Sequence, residues 1–236
     1  MFKKVFVVCL LIFLHSCTTS SKCLGPESYC ELSDAEECEI KIFPHQSGRS
    51  CTAGEFDHFV IRQLTDFGQR PVWSPDGQKV AFIDKEFGDA YELNLETGEI
   101  ECITCQFKHE GFLRVHYMKD GDYLLLGPKK FTSRFRSRYF GNGFLWMPAD
   151  RSEPPRWIGE EHYEGVAISP ESRSIAYAKT WLSHPFRFFS TLYVAELTPD
   201  GEIRNRRVVL HSMNIIEAQV FLPGDSGLTF ARYTPN

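Results

Sequence analysis

The stretch Val72-Trp73-Ser74-Pro75-Asp76-Gly77-Gln78-Lys79-Val80-Ala81-Phe82 decides the fold. Apolar Val72 and Trp73 lead into a turn, and Val80, Ala81 and Phe82 lead out of it. Pro75 presets φ for the first corner, Asp76 can bond the backbone downstream of itself, and Gly77 accepts the left-handed conformation. Two apolar arms around such a turn predict a β-hairpin. Trp73, Pro75, Asp76 and Gly77 are therefore read as structural turn residues.

The device recurs. Tyr117-Met118-Lys119-Asp120-Gly121 precedes the apolar run Tyr123–Leu126. Ile168-Ser169-Pro170-Glu171-Ser172 precedes Ile175–Ala178, and Phe221-Leu222-Pro223-Gly224-Asp225 precedes Leu228–Ala231. From Pro75 through Lys119 and Pro170 to Pro223 the spacings are 44, 51 and 53 residues. A second hairpin accompanies the first: Tyr91–Leu95 alternates as a strand should, turns at Gly98-Glu99 and continues from Ile100 to Thr104. Tyr193–Leu197 before Gly201-Glu202-Ile203 copies it. Four strands every 40 to 50 residues make a propeller blade.

The WSPDG turn followed by a KVAF-like strand resembles the WD40-like repeat of TolB-type β-propellers, over roughly residues 59–236. The resemblance implies an all-β, TolB-like propeller of four-stranded blades. His58–Thr65 resembles an outermost strand of that family, since Leu64-Thr65 recurs as Ile103-Thr104. Three blades read as complete, and a fourth supplies two inner strands. The expectation is an incomplete propeller of about three and a half blades, belonging to a longer one.

Composition agrees with strands: 20 Phe, 9 Tyr and 4 Trp favour a sheet over helices. Net charge is −5, or −7 once Lys3 and Lys4 leave with a leader, at 24 basic against 31 acidic residues. That balance gives no reason to expect nucleic acid or an anionic membrane surface as the main partner.

The domains are read as 1–16 signal peptide, 17–55 tether and cysteine-rich segment, and 56–236 partial propeller. Lys3-Lys4 followed by the ten apolar residues Val5–Leu14 is a leader, too short to span a bilayer. Leu14-His15-Ser16-Cys17 resembles the lipobox of bacterial lipoproteins, with His15 a departure from the usual small or apolar residue. The resemblance implies lipidation at Cys17, and Thr18 in place of Asp implies the periplasmic side of the outer membrane. The alternative is an ordinary signal and a secreted or soluble periplasmic protein. Cys23, Cys30, Cys38 and Cys51 read as two disulfides with three pairings open.

Cys102 and Cys105 are a further disulfide candidate. Along an extended strand residues three apart lie about 10 Å apart, so a bridge requires the chain to turn at Cys105. No metal site is expected, since His109-Glu110 and His116 lack zincin spacing. No cofactor and no catalytic residue is expected. Gly224-Asp225-Ser226-Gly227 resembles a serine-protease nucleophile segment, but it aligns with the blade's hairpin turn, and no Gly-x-Ser-x-Gly elbow occurs.

The departures from the repeat carry the functional expectation. The first blade joins its second and third strands briefly. The second inserts Lys129–Phe140, with Arg134, Phe135, Arg136, Arg138 and Tyr139; the third inserts Trp181–Phe189, with His184, Phe186 and Arg187. Arginine with exposed aromatics is the composition of protein-binding hot spots; the alternative is that Phe135, Phe188 and Phe189 simply extend strands into the core. Both loops are expected side by side on one face, opposite the WSPDG turns. The function read from this is a non-catalytic periplasmic interaction scaffold, lipid-anchored to the outer membrane, with a protein partner and no nucleic acid. The alternative is the accessory propeller of a prolyl-oligopeptidase-like hydrolase.

Overall fold

The computed structural model describes residues 41–42, 49–50, 63–184 and 187–233, with side chains described for 63–181 and 188–233. Cys17, Cys23, Cys30, Cys38, Cys51, Phe186 and the side chains of His184 and Arg187 lie outside the described residues. So does most of the expected strand at 58–65, of which residues 63–65 are not strand. The chain divides into two compact units, Met1–Asp66 and Phe67–Asn236. In the first, β1 (Lys41–Ile42) pairs antiparallel with β2 (Arg49–Ser50).

The second unit is all-β. Blade one is β3 (Gln69–Trp73), β4 (Lys79–Ile83), β5 (Ala90–Asn94) and β6 (Ile100–Cys102). Blade two is β7 (Arg114–Tyr117), β8 (Tyr123–Pro128), β9 (Asn142–Met147) and β10 (Arg156–Glu161). Blade three is β11 (Val166–Ile168), β12 (Ser174–His184), β13 (Arg187–Leu197) and β14 (Ile203–Ser212). The fourth is the hairpin β15 (Ile215–Phe221) with β16 (Leu228–Tyr233). Each four-stranded sheet is an antiparallel meander in chain order. These are propeller blades, as the repeat predicts.

The quoted turn closes β3 onto β4 through its own side chains. Ser74 N–H donates to the Lys79 carbonyl at 2.9 Å, and Gly77 N–H to the Ser74 carbonyl at 2.9 Å. The Ser74 hydroxyl donates to Asp76 at 2.6 Å, and Asp76 accepts the Gln78 N–H at 3.0 Å. Those bonds hold the Asp76 carboxyl below its ordinary pKa, the serine first. Gly77 sits at φ 70°, where a Cβ would be strained. Ser169 N–H to Ser174 and Leu222 N–H to Gly227 repeat the closure at 2.9 Å each. The second copy closes from Met118 to Asp122, one residue shorter. Its missing Ser-Pro is thus a tighter turn of the same hairpin.

The core lies between blades rather than inside any one of them. Ala81, Ile83 and Ala90 meet Val115, Tyr117, Leu125 and Met147 across the first seam. Leu124, Leu126, Phe144 and Trp146 meet Val166, Ile175, Tyr177 and Leu197 across the second. Ala176, Ala178 and Leu192 meet Ile216, Ala218 and Phe221 across the third. Every residue of β8 and β9 is buried, because both faces of that sheet are covered. The outer strand β14 is largely exposed.

Candidate functional site

In an antiparallel blade, the 1–2 turn and the 2–3 connection emerge at opposite ends. At the WSPDG end the seams carry polar staples. Glu92 on β5 accepts the Tyr117 and Tyr123 hydroxyls at 2.7 Å each and pairs with Lys79 at 2.6 Å. Burial opposes its ionisation, but those three donors outweigh it and lower its pKa. Both tyrosines are pushed up, by burial first and then by Glu92. Arg173 pairs with Asp120 and Asp122 at the next seam, and Asp225 accepts the Ser169 and Ser172 hydroxyls at the third. A cleft of about 330 Å³ beside Glu92 is lined by these engaged groups. Its carboxylate already accepts three donors, and the end reads as structural.

The opposite end carries the insertions. Lys129–Phe140 contains the short helix α1 (Arg134–Tyr139), capped by the Ser133 hydroxyl accepting the Arg136 N–H at 3.3 Å. The insertion was expected as a loop; the Ser133 cap is the signal that marks the helix. Ser137 is buried, with its hydroxyl accepting the Thr132 N–H at 3.0 Å. That fixes which side faces out. Phe135 is 64% exposed and Phe140 61%, and the Phe135 ring lies 5.1 Å from Tyr139 and 5.8 Å from Phe140. Phe131 extends this surface to Phe87 at 5.0 Å. Arg134, Arg136, Lys129 and Lys130 are exposed around it.

Arg138 differs from its neighbours and corrects the sequence expectation. Its Nε and Nη2 hold Glu164 at 2.7 and 2.6 Å and its Nη1 holds Glu86 at 2.7 Å. It is a brace between blades, half-buried, rather than a free contact residue. In the third-blade insertion Phe188 and Phe189 extend a strand, as the alternative reading has it. Trp181–His184 prolongs β12 and Arg187–Phe189 opens β13, with Thr180 opposite Ser190 and Trp181 opposite Phe189. Trp181 is exposed, 5.7 Å edge-on from Phe189, which stacks on His211 at 5.7 Å. Among the described residues no ring contact, hydrogen bond or ion pair joins the two insertions directly. Tyr163 lies between them, its ring 5.9 Å from Tyr139 and its N–H donating to Ala178 at 2.7 Å.

Sequence reasoning missed the inner edge of this end altogether. There Arg70 from β3, Arg114 from β7 and Arg138 from α1 surround Glu164, two residues before β11 begins. Arg70 donates to the Leu113 carbonyl at 2.7 Å and pairs with Glu164 at 2.7 Å. It does so from φ 59° inside a register shift between Gln69 and Val72. A bulge of this kind re-aims a side chain. Arg114 reaches Glu164 only at 3.7 Å. His116, two residues along β7, is held near pKa 3 by burial and then by Arg114.

The remaining sequence candidates resolve as structure. Cys102 and Cys105 are disulfide-bonded, with Cα atoms 5.7 Å apart where the chain turns after β6. Their sulfurs lie beside the Asp89 carboxylate, but bonded to each other they offer no thiolate to a metal. His109 pairs with Asp89 at 2.9 Å while Glu110 accepts the Phe131 N–H at 3.0 Å, so His109, Glu110 and His116 do not converge. Ser226 donates to the Pro223 carbonyl at 2.7 Å inside the β15–β16 turn.

No protein-family model matches the sequence. Among solved structures the chain is similar to TolB from Acinetobacter baumannii, at 14% identity and TM-score 0.44, over 63% of this chain and 37% of that one. It is also similar to Kuenenia stuttgartiensis hydrazine synthase, at 13% identity and TM-score 0.49, over 80% and 50%. A third is a puromycin-hydrolyzing peptidase of Mycobacterium tuberculosis, at 16% identity and TM-score 0.45, over 69% and 25%. The chain spans half or less of the length of these three. Similarity of this depth transfers no activity, substrate or partner.

Proposed function

We propose that this chain is a non-catalytic interaction module that docks a protein partner on its insertion face. The observation that carries the reading is the exposed aromatic surface of Phe131, Phe135 and Phe140 ringed by Arg134 and Arg136. Exposed aromatics beside arginine supply rigid apolar area and directional charge, the ingredients of an interface anchor. The reading includes export through the 1–16 leader and tethering at Cys17 to the periplasmic side of the outer membrane, motivated by the lipobox-like sequence. The test places a photo-crosslinking amino acid at Phe135 and, as a control, at Thr97 on the turn face. A discrete protein adduct from Phe135 alone, reduced about tenfold by joint Arg134→Glu and Arg136→Glu, is the expected result. Identical adducts from both positions, or none from Phe135, overturn it. Globomycin sensitivity of processing, with loss of the membrane fraction in Cys17→Ala, tests the anchor.

A further inference from the structure

We propose that Arg114 is a binding point for a single carboxylate group at the inner edge of the insertion face, where blades two and three meet. The three guanidiniums gathered there are not equivalent. Arg70 and Arg138 are fully engaged, on the Leu113 carbonyl, both oxygens of Glu164, and Glu86. Arg114 makes no side-chain hydrogen bond to any described residue. The carboxylate it pairs with, Glu164 Oε1 at 3.7 Å, is already taken by Arg70. Its Nε is buried without a partner. A planar guanidinium with five donors and none used at hydrogen-bond distance is prepared for a bidentate acid.

The surroundings narrow the chemistry. Three arginines touch two carboxylates, Glu164 and Glu86, which leaves one positive charge in excess. Glu217 stands close by: a Cβ added to Gly165 would meet its Cβ at 2.7 Å. It is engaged by the Tyr233 hydroxyl at 2.9 Å. Glu217 offsets that excess, so directed bonds to Arg114 rather than net charge would hold the ligand, and a phosphate dianion is repelled by Glu164 and Glu217 more strongly than a monoanion is. The fork geometry of Arg matches a carboxylate through two parallel bonds. The other buried side-chain atoms without partners, His116 Nε2 and Asn142 Oδ1, belong to the same blade. His116 lies on the same strand as Arg114, and Asn142 opens β9 at the insertion end. The left-handed bulge at Arg70 is a backbone cost that keeps Glu164 occupied and Arg114 without a close acceptor.

The carboxylate can come from an acidic side chain or C-terminus of a docked protein, which rests on the interaction reading above, or from a free small acid. The test observes arginine Nε–Hε resonances of the full chain labelled with ¹⁵N-arginine, the Arg114 signal being assigned by its loss in Arg114→Lys. Acetate and a short acetylated peptide ending in Ala, each with one carboxylate, are the probes, with inorganic phosphate as comparison. A saturable shift of the Arg114 signal by either carboxylate, stronger than by phosphate, is expected. Arg114→Gln, followed on the neighbouring Arg70 and Arg138 signals, should weaken binding at least about tenfold, with an unchanged thermal midpoint showing that the fold stands. Arg134→Gln should leave it intact. No saturable shift with either carboxylate, equal binding by phosphate, or binding retained in Arg114→Gln overturns the proposal. Preference for the peptide assigns the point to protein docking, and preference for acetate to a small acid. A crosslink at Phe135 without this titration removes only the carboxylate point, and the titration without a crosslink removes only the docking reading.

Discussion

His116 and His162 show how strongly the seam between blades two and three works on single residues. His162 stacks on Phe144 at 3.9 Å, and its Nδ1 faces the Glu160 carbonyl at 3.0 Å. Burial, the larger cause, pushes it down to about 4 although Glu160 pulls the other way. Burial and then Arg114 bring His116 to about 3. Unfolded imidazoles protonate near 6.5, so between there and about 4 the unfolded chain takes up protons that the folded chain refuses. Stability is therefore intact above pH 6.5 and falls as pH drops towards 4. The slope is up to about 1.4 kcal/mol per pH unit for each histidine. Urea midpoints measured from about pH 7.5 to about pH 5 should fall steadily in the parent. In His116→Gln the slope should be roughly half as steep; an unchanged slope would place the sensitivity elsewhere. Asp76 and Glu92, held below their ordinary values, act in a separate window below the unfolded carboxylate range.

At the scale of elements, the four hairpins were legible because their chemistry is local. Pro75, Asp76 and Gly77 specify a turn with partners no more than a few residues away, and the backbone closures at Pro170 and Pro223 are as local. The staples were illegible because their partners sit on a neighbouring blade: nothing near Glu92 in sequence announces Tyr117 or Tyr123. The same reason hid the Arg70, Arg114 and Glu164 cluster, which draws on three blades. The two insertions were found as departures from the repeat, but their conformations were not. Ser133 before Arg134 was an available helix cap, and Thr180-Trp181 against Phe189-Ser190 carries the β propensity of a continuing hairpin. Glu92→Gln tests the staple directly. It removes a charge-assisted acceptor of three donors while leaving volume unchanged, and Lys79 stays partly in water. A loss of about 2 kcal/mol in urea unfolding is expected. A change below about 0.5 kcal/mol would mean that the seam is held by its apolar contacts alone.

Taken as a whole, the blade unit is a linear stack in which each core cluster belongs to two consecutive blades. Coupling then passes from neighbour to neighbour, as in repeat proteins, and protection against solvent follows how many faces of a blade are covered. Blade two is covered on both: all twelve residues of β8 and β9 are buried. In the fourth hairpin, Ile216, Ala218 and Phe221 pack back onto blade three, while Val220, Leu222 and Phe230 are exposed. No residue of β16 is fully buried. Opening β16 thus uncovers little apolar surface, whereas opening β8 disrupts two core clusters at once. Local opening free energies range from near zero for frayed elements up to the global value for core strands. Hydrogen exchange followed by mass spectrometry should find Tyr123–Met147 peptides slowest among the described blades, with the α1 segment an internal exception. The β16 amides should exchange orders of magnitude faster, and β11–β13 should lie between. Truncating Tyr177, which is buried at the centre of the second seam, to Ala should accelerate exchange in both β8–β9 and β12–β13 and leave β4–β5 less affected. Uniform acceleration across all blades would instead make the stack one cooperative unit.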